Sequence, residues 1–155
     1  MGRTLQERLA SRHFEGPHHE AFLNVIVASS HLRGLLDALF EDSELTSAQY
    51  NVLRILNGAF PEGYPRGEIS RRMLDRAPDL TRMIDRMIKR GLVQRARSGD
   101  AGRQSIARIT PRGRKLLAGL HGRVRSVTQQ LERRLSAREA RELSRLCEKL
   151  YGPLD

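Results

Sequence analysis

The sequence predicts a mainly α-helical protein carrying one small β-hairpin, and three observations lead there. Apolar residues recur at three- and four-residue spacing over most of the 155-residue chain, the mark of helices that bury one face. The helical period breaks once, between Leu92 and Ile109, where two short segments flank a polar, glycine-containing tip in the manner of a hairpin. Helix-start signals stand at Thr46, Pro78, Thr110 and Ser136, each a side-chain cap or a first-turn proline.

The elements follow in order. Leu5, Leu9 and His13 suggest an amphipathic turn or two, followed by a loop around Gly16-Pro17. His18 to Phe40 has helical spacing through Phe22, Val25, Ile26, Leu32, Leu35, Leu36 and Leu39. Thr46-Ser47-Ala48-Gln49 reads as a capping box opening a helix through Leu56. Gly58 to Pro65, with two prolines and two glycines, reads as turns. A short helix is expected over Arg66 to Leu74, and a longer one from Pro78 to Arg90 with Gly91 closing it. At about 100° per residue, Leu80, Met83, Ile84, Met87 and Ile88 share one face of that longer helix; Arg82, Asp85, Arg86 and Lys89 share the other. Asp85 and Lys89 stand as an ordinary i,i+4 pair.

The hairpin is expected over Leu92 to Ile109, with Thr110-Pro111 opening the next helix. There Leu117, Leu120, Val124, Val127 and Leu131 repeat at 3-4-3-4, a heptad-like seam. A second capping box, Ser136 to Glu139, opens a last helix with Ala140, Leu143, Cys147 and Leu150 on one stripe. These stripes exceed what a small core covers, so Leu117, Leu120, Val124, Val127, Leu131, Leu143, Cys147 and Leu150 are assigned to a homodimer interface. An intrachain helical hairpin is the alternative.

Short helix, tight turn, amphipathic helix, glycine, two-stranded hairpin: this order is a winged helix-turn-helix. The fold class is therefore a winged helix-turn-helix over 46–110, flanked by N-terminal (1–45) and C-terminal (111–155) dimerisation helices. A major groove about 12 Å wide admits one helix, whose N-terminal half enters deepest. That places Asp79, Thr81, Arg82 and Arg86 against DNA. The hairpin tip, with Arg97 and Arg103, reaches toward the minor groove, whose negative potential attracts arginine; Asp100 beside them orients an arginine fork.

Composition agrees. The net charge is +10 and the pI near 11.0, which favours a polyanionic partner, nucleic acid ahead of membrane. Almost all of the cations are arginines, the only lysines being Lys89, Lys115 and Lys149. Aromatics are only 5% and Trp is absent, which argues against base-stacking RNA modules. No nucleophile elbow, P-loop, dinucleotide fingerprint or zinc-protease motif nominates an enzyme or catalytic residue. One cysteine excludes an intrachain disulfide and a cysteine-cluster metal site. His18-His19-Glu20 is a poor ligand set, since adjacent helical side chains diverge by about 100°; neither metal nor cofactor is implied. The charged N-terminus lacks a signal-peptide core, and no run approaches the roughly 20 apolar residues of a membrane helix. A cytoplasmic protein without a membrane partner is expected.

With Leu45-Thr46-Ser47-Ala48-Gln49-Tyr50 through Leu56, Pro78-Asp79-Leu80-Thr81-Arg82 through Val93, and the wing up to Ile109-Thr110-Pro111-Arg112-Gly113, the chain resembles the MarR family of bacterial transcriptional regulators. The likeness spans about Phe22 to Leu150. It implies a triangular homodimer on double-stranded DNA, with recognition helices in successive major grooves of a pseudo-palindrome. Many relatives are repressors released by oxidation or by a small ligand, often an aromatic acid or phenol. An effector cleft would lie between the dimer helices and the DNA-binding lobe, with His31, Tyr50, Arg54 and Met87 as candidate lining. The family's wing commonly carries Asp followed by two arginines; Asp100-Ala101-Gly102-Arg103-Gln104 keeps one. The competing readings are a non-specific architectural nucleic-acid binder and a thiol-based redox regulator using Cys147.

Overall fold

The helices form where their caps predict them. A computed structural model of the protein describes residues 3–10, 13–75, 77–98 and 104–153. Its elements are α1 (Arg3–Leu9), α2 (Pro17–Phe40), α3 (Ser47–Gly58), β1 (Tyr64–Pro65), α4 (Arg66–Arg72), α5 (Leu80–Lys89), β2 (Val93–Ser98), β3 (Gln104–Ile109), α6 (Pro111–Glu132) and α7 (Ala137–Tyr151). The result is mainly helical with a small antiparallel sheet, the expected class.

Both capping boxes are formed. The Thr46 hydroxyl accepts from the Gln49 amide while the Gln49 side chain accepts from the Thr46 amide, and Ser136 and Glu139 reciprocate in the same way. Thr110 caps α6 by accepting from the Gly113 amide at 3.0 Å, with Pro111 in the first turn. The Ser136 hydroxyl and amide both hold the Glu139 carboxylate, which keeps its pKa below the ordinary glutamate value. A carboxylate depressed in the folded state contributes stability above its unfolded pKa and loses it as pH falls through the folded one. A carbon-13 titration of the Glu139 carboxyl should therefore give a midpoint below that of an ordinary glutamate, with the Ser136 amide resonance moving at the same midpoint. Independent midpoints would mean that the box is not formed in solution.

The main core gathers Phe40, Leu45, Val52, Leu53, Leu56, Ile69, Leu80, Ile84, Met87, Leu92, Val93, Ala107, Ile109, Leu117 and Leu120. It draws on α2, α3, α4, α5, the sheet and α6, so the segments before 46 and after 110 share one interior with the central unit. This revises the assignment of the α6 seam. Leu117 and Leu120 lie inside their own chain's core, Val124 packs against it, and Val127 is buried while Leu131 is half-buried. The cause is that α6 lies across α3 and α2, so intrachain packing covers the stripe that the heptad spacing reserved for a partner.

Other boundaries shift locally. Helix α5 begins at Leu80, so Pro78 and Asp79 precede it as a turn, and the Asp79 side chain makes no capping bond. Pro17 occupies the first turn of α2 and so belongs to the helix rather than to the loop expected around Gly16-Pro17. By length and a mean hydropathy of 1.2, α2 reaches what a membrane span needs, against the expectation of no such run. Its Arg33 and Asp37 nevertheless bond to Asp75 and Ser47 of other elements, and Phe40 ends it in the core.

The sheet has the order β1-β3-β2. The expected hairpin pairs Val93 with Ile109 through Ser98 with Gln104. Strand β1, read from sequence as part of a turn, adds Tyr64 opposite Ala107 and Pro65 opposite Ile106.

Candidate nucleic-acid interface and the cavity behind it

Helix α5 divides as its sequence requires. Leu80, Ile84 and Met87 are buried, Met83 and Ile88 pack against the core, and Thr81, Arg82, Arg86 and Lys89 are exposed. The apolar back holds the helix rigidly, leaving the outer face free to meet a groove. Arg82 approaches the Asp79 carboxylate at 3.6 Å, and the Arg86 Nε donates to the Arg82 carbonyl at 3.3 Å. Of the expected DNA contacts, Asp79, Thr81, Arg82 and Arg86 share this exposed end, and Arg97 is exposed on β2. Asp100 and Arg103 lie outside the described residues.

Two further cations join this face. Arg66, at the start of α4, donates to the Thr81 hydroxyl at 2.8 Å. Arg95 on β2 pairs with Asp85 on α5, so Asp85 tethers the wing instead of pairing with Lys89 along its helix. Arg66, Thr81, Asp85 and Arg95 line a notch of about 430 Å³ between α4, α5 and the sheet. The Arg95–Asp85 pair links α5 to the first strand of the wing. No local pattern could have nominated it, because the partners stand on different elements.

Behind this face lies a larger cavity of about 1060 Å³, walled by α2, α3, the α4–α5 turn and α6. Its volume suits a small organic ligand. Tyr50 and Arg54, expected on an effector cleft, line it. Met87 does not: it is 0% exposed in the core, because it sits on the inward face of α5. His31 is exposed on α2 and is not part of the wall. The residues missed by sequence are Arg33, Asp75, His121 and Arg125. The Arg33 guanidinium grips Asp75 through two bonds, of 2.5 and 2.7 Å, and holds that carboxyl below its usual range.

A third surface is apolar. Helix α7 buries none of its residues, leaving Leu143, Leu146, Leu150 (69% exposed) and Tyr151 open, with Cys147 half-buried among them. On α2, Phe22, Val25 and Ile26 are likewise exposed.

A rigid amphipathic helix set beside a basic two-stranded wing defines a winged helix-turn-helix DNA-binding protein. Comparison with known proteins narrows the class. A MarR family model matches residues 43–104. The crystal structure of a MarR transcription factor from Planctomyces limnophilus is 36% identical, covering 88% of this chain and 98% of that one, with a TM-score of 0.65. Two more distant structures share the fold. One is the S. aureus MepR–DNA complex (19% identity, 86% and 97% of the chains, TM-score 0.73). The other is Bordetella bronchiseptica BpsR, whose DNA binding is regulated by 6-hydroxynicotinic acid (21%, 84% and 98%, TM-score 0.71). No curated protein sequence matches significantly. The chain belongs to the MarR family. It is a DNA-binding transcriptional regulator, and its relatives are transcription factors rather than enzymes.

Proposed function

We propose that the protein is a repressor that binds a pseudo-palindromic operator as a homodimer and is released when a small ligand, aromatic or phenolic in character, enters the cavity behind the reading helix. The observation carrying DNA binding is the outer face of α5, where Thr81, Arg82 and Arg86 stand exposed beside the arginines of the wing. Asp100 and Arg103 belong to the same reading, at the wing tip. Residues 46–110 serve as the reading unit, and the flanking segments 1–45 and 111–155 serve dimerisation. The dimer is supported by the open stripes on α7 and α2. Leu143, Cys147 and Leu150 are its α7 contribution, and large exposed apolar patches of this kind mark interaction surfaces. Regulation by a small ligand is supported by the cavity and by the behaviour of the distant relative BpsR. The protein works in the cytoplasm, where its DNA is.

Selection of bound duplexes from a genomic fragment library at physiological salt, with the mass of the complex measured, tests this directly. Enrichment of a pseudo-palindrome with half-sites about one helical turn apart, bound by two chains, is expected. Binding without enrichment would make the protein an architectural binder instead. On the enriched operator, Arg82→Ala should lose roughly 1–3 kcal/mol of affinity and little on random DNA. Equal loss on both would move Arg82 from base reading to phosphate contact.

A further inference from the structure

The notch between α4, α5 and the sheet holds a hydroxyl whose oxygen is gripped by a cation and whose proton is uncommitted. Thr81 stands in the first turn of α5, on a helix fixed from behind by buried Leu80 and Ile84. A helical threonine commonly turns its hydroxyl toward a carbonyl one turn back. The Thr81 oxygen instead accepts from the Arg66 guanidinium at 2.8 Å, and with the described residues the Thr81 side chain makes no other hydrogen bond. Arg66 opens α4 directly after Pro65, which lies opposite Ile106 in the sheet. It forms no ion pair with any described residue. Asp85, the carboxylate in the notch wall, is engaged by Arg95, and Asp79 lies against Arg82.

We propose that Arg66 is a positioning residue that makes Thr81 select a keto base, guanine or thymine, at one position of each operator half-site. The inference rests on the reading of α5 as the helix that meets base edges. It adds which bases Thr81 accepts and the residue that decides it.

Proton direction sets the preference. A threonine hydroxyl alone is donor and acceptor at once and suits either kind of base edge. A guanidinium carries donors only. With Arg66 supplying a proton to the Thr81 oxygen, the hydroxyl's own proton is left for the base. The pair then presents O–H and N–H groups side by side, under a positive charge that no described carboxylate offsets. In the major groove guanine shows two acceptors, N7 and O6, and thymine shows O4. Cytosine shows its N4 amino group, and adenine sets its N6 amino group beside N7. An amino group brought to the pair meets donors and a cation. Its proton finds no partner there, and an unpaired polar group in a desolvated contact costs more than a made bond contributes. Asp85 would accept from it, but Arg95 holds that carboxylate.

Both partners are in place before DNA arrives. Thr81 rides on a helix anchored in the core, and the backbone leading into Arg66 is paired with β3. Little side-chain ordering is left to oppose binding, so the preference passes into affinity.

The test uses the full-length protein and random-sequence duplexes at fixed salt, with the base frequencies of the selected operators as readout. The wild type is expected to select guanine or thymine on one strand at one position per half-site. Thr81→Val, which keeps the shape and removes the hydroxyl, should flatten the frequencies at that position alone. Arg66→Ala should relax the same position, admitting adenine and cytosine and cutting the preference for guanine over cytosine about tenfold, the scale of one good base contact. The other positions should stay as in the wild type, and so should the melting temperature, because both side chains are exposed. Arg66→Lys, which still donates, should restore part of the preference. Arg66→Ala with Thr81→Val should be no less selective than Thr81→Val alone, since Arg66 acts through Thr81. Three results would overturn the assignment and leave the regulator reading intact. One is unchanged base frequencies in Arg66→Ala or in Thr81→Val. Another is equal loss on every duplex with a log–log salt slope shallower by about one, which marks a phosphate contact. The third is relaxation spread over all positions, which marks a displaced α5. Failure of the wild type to select any sequence would remove the reading of α5, and the role of Arg66 with it.

Discussion

Glutamate at position 120 is expected to unfold the protein rather than to separate two chains. Leu120 is 6% exposed and packs among the core residues between α6 and α3. A carboxylate there loses its hydration with no cation or donor set to receive it, and burial of an unpaired charge ranks with the most damaging substitutions, about 4 kcal/mol or more. That is a large share of the roughly 5–15 kcal/mol that holds a domain of ordinary stability. Circular dichroism should show lost helix or a sharply lowered transition, independent of protein concentration. The same substitution one helix later has the opposite consequence. Leu146 and Leu150 are exposed on α7, which buries nothing within its own chain. Leu146→Glu with Leu150→Glu should leave the chain folded and halve the mass seen by light scattering. A folded, dimeric double variant would remove α7 from the interface. A folded Leu120→Glu monomer would restore the seam on α6 to the dimer.

Gly113→Ala is expected to lose about 2–3 kcal/mol, lowering the melting temperature by roughly 4–12 °C for a chain of this size. Gly113 lies in the first turn of α6, where the helix passes directly over the end of α5 and the start of β2. A methyl group there would stand 2.3 Å from the Leu92 carbonyl oxygen and 2.9 Å from the Ile109 side chain. The oxygen belongs to backbone already bonded to the Thr110 amide at 3.1 Å and cannot retreat without breaking that junction. Relief must come from moving α6, which carries Leu117 and Leu120 into the core. Gly119, farther along the same helix, has open space where its Cβ would be. Gly119→Ala should therefore raise stability by about 0.5–1 kcal/mol through helix propensity alone. Opposite signs at two glycines of one helix separate steric contact from propensity; equal signs would show that α6 does not rest on Leu92.

The large cavity and the notch on the outer face each carry an ion pair between elements. Arg95 joins β2 to Asp85 on α5, beside the Arg66–Thr81 hydrogen bond. Arg33 joins α2 to Asp75 in the α4–α5 turn. Both are exposed ion pairs that salt weakens. Rising ionic strength should therefore loosen these links as well as the phosphate contacts.

What the sequence determined by itself is what depends on neighbours a few residues apart. The caps at Thr46, Thr110 and Ser136 act within one helical turn, so their residue types announced α3, α6 and α7. The period of Leu80, Met83, Ile84, Met87 and Ile88 separated the buried back of α5 from its outward arginines, and two short segments flanking a polar, glycine-containing tip announced the hairpin. Tertiary structure alone decided which partner meets each face. A 3-4 stripe states that α6 is apolar on one side, but burial against α3 and burial against a second chain need the same residues. Met87 is expected on the cleft only through the family resemblance; periodicity fixes its inward direction, and the fold places it in the core. Strand β1 is two residues long and exists because Gly63, approached to 2.2 Å by the Ala107 carbonyl where a side chain would begin, lets Tyr64 and Pro65 lie against β3. The Arg33–Asp75 bond joins residues 42 apart, and no local pattern in a chain encodes a contact that only packing of the intervening helices creates.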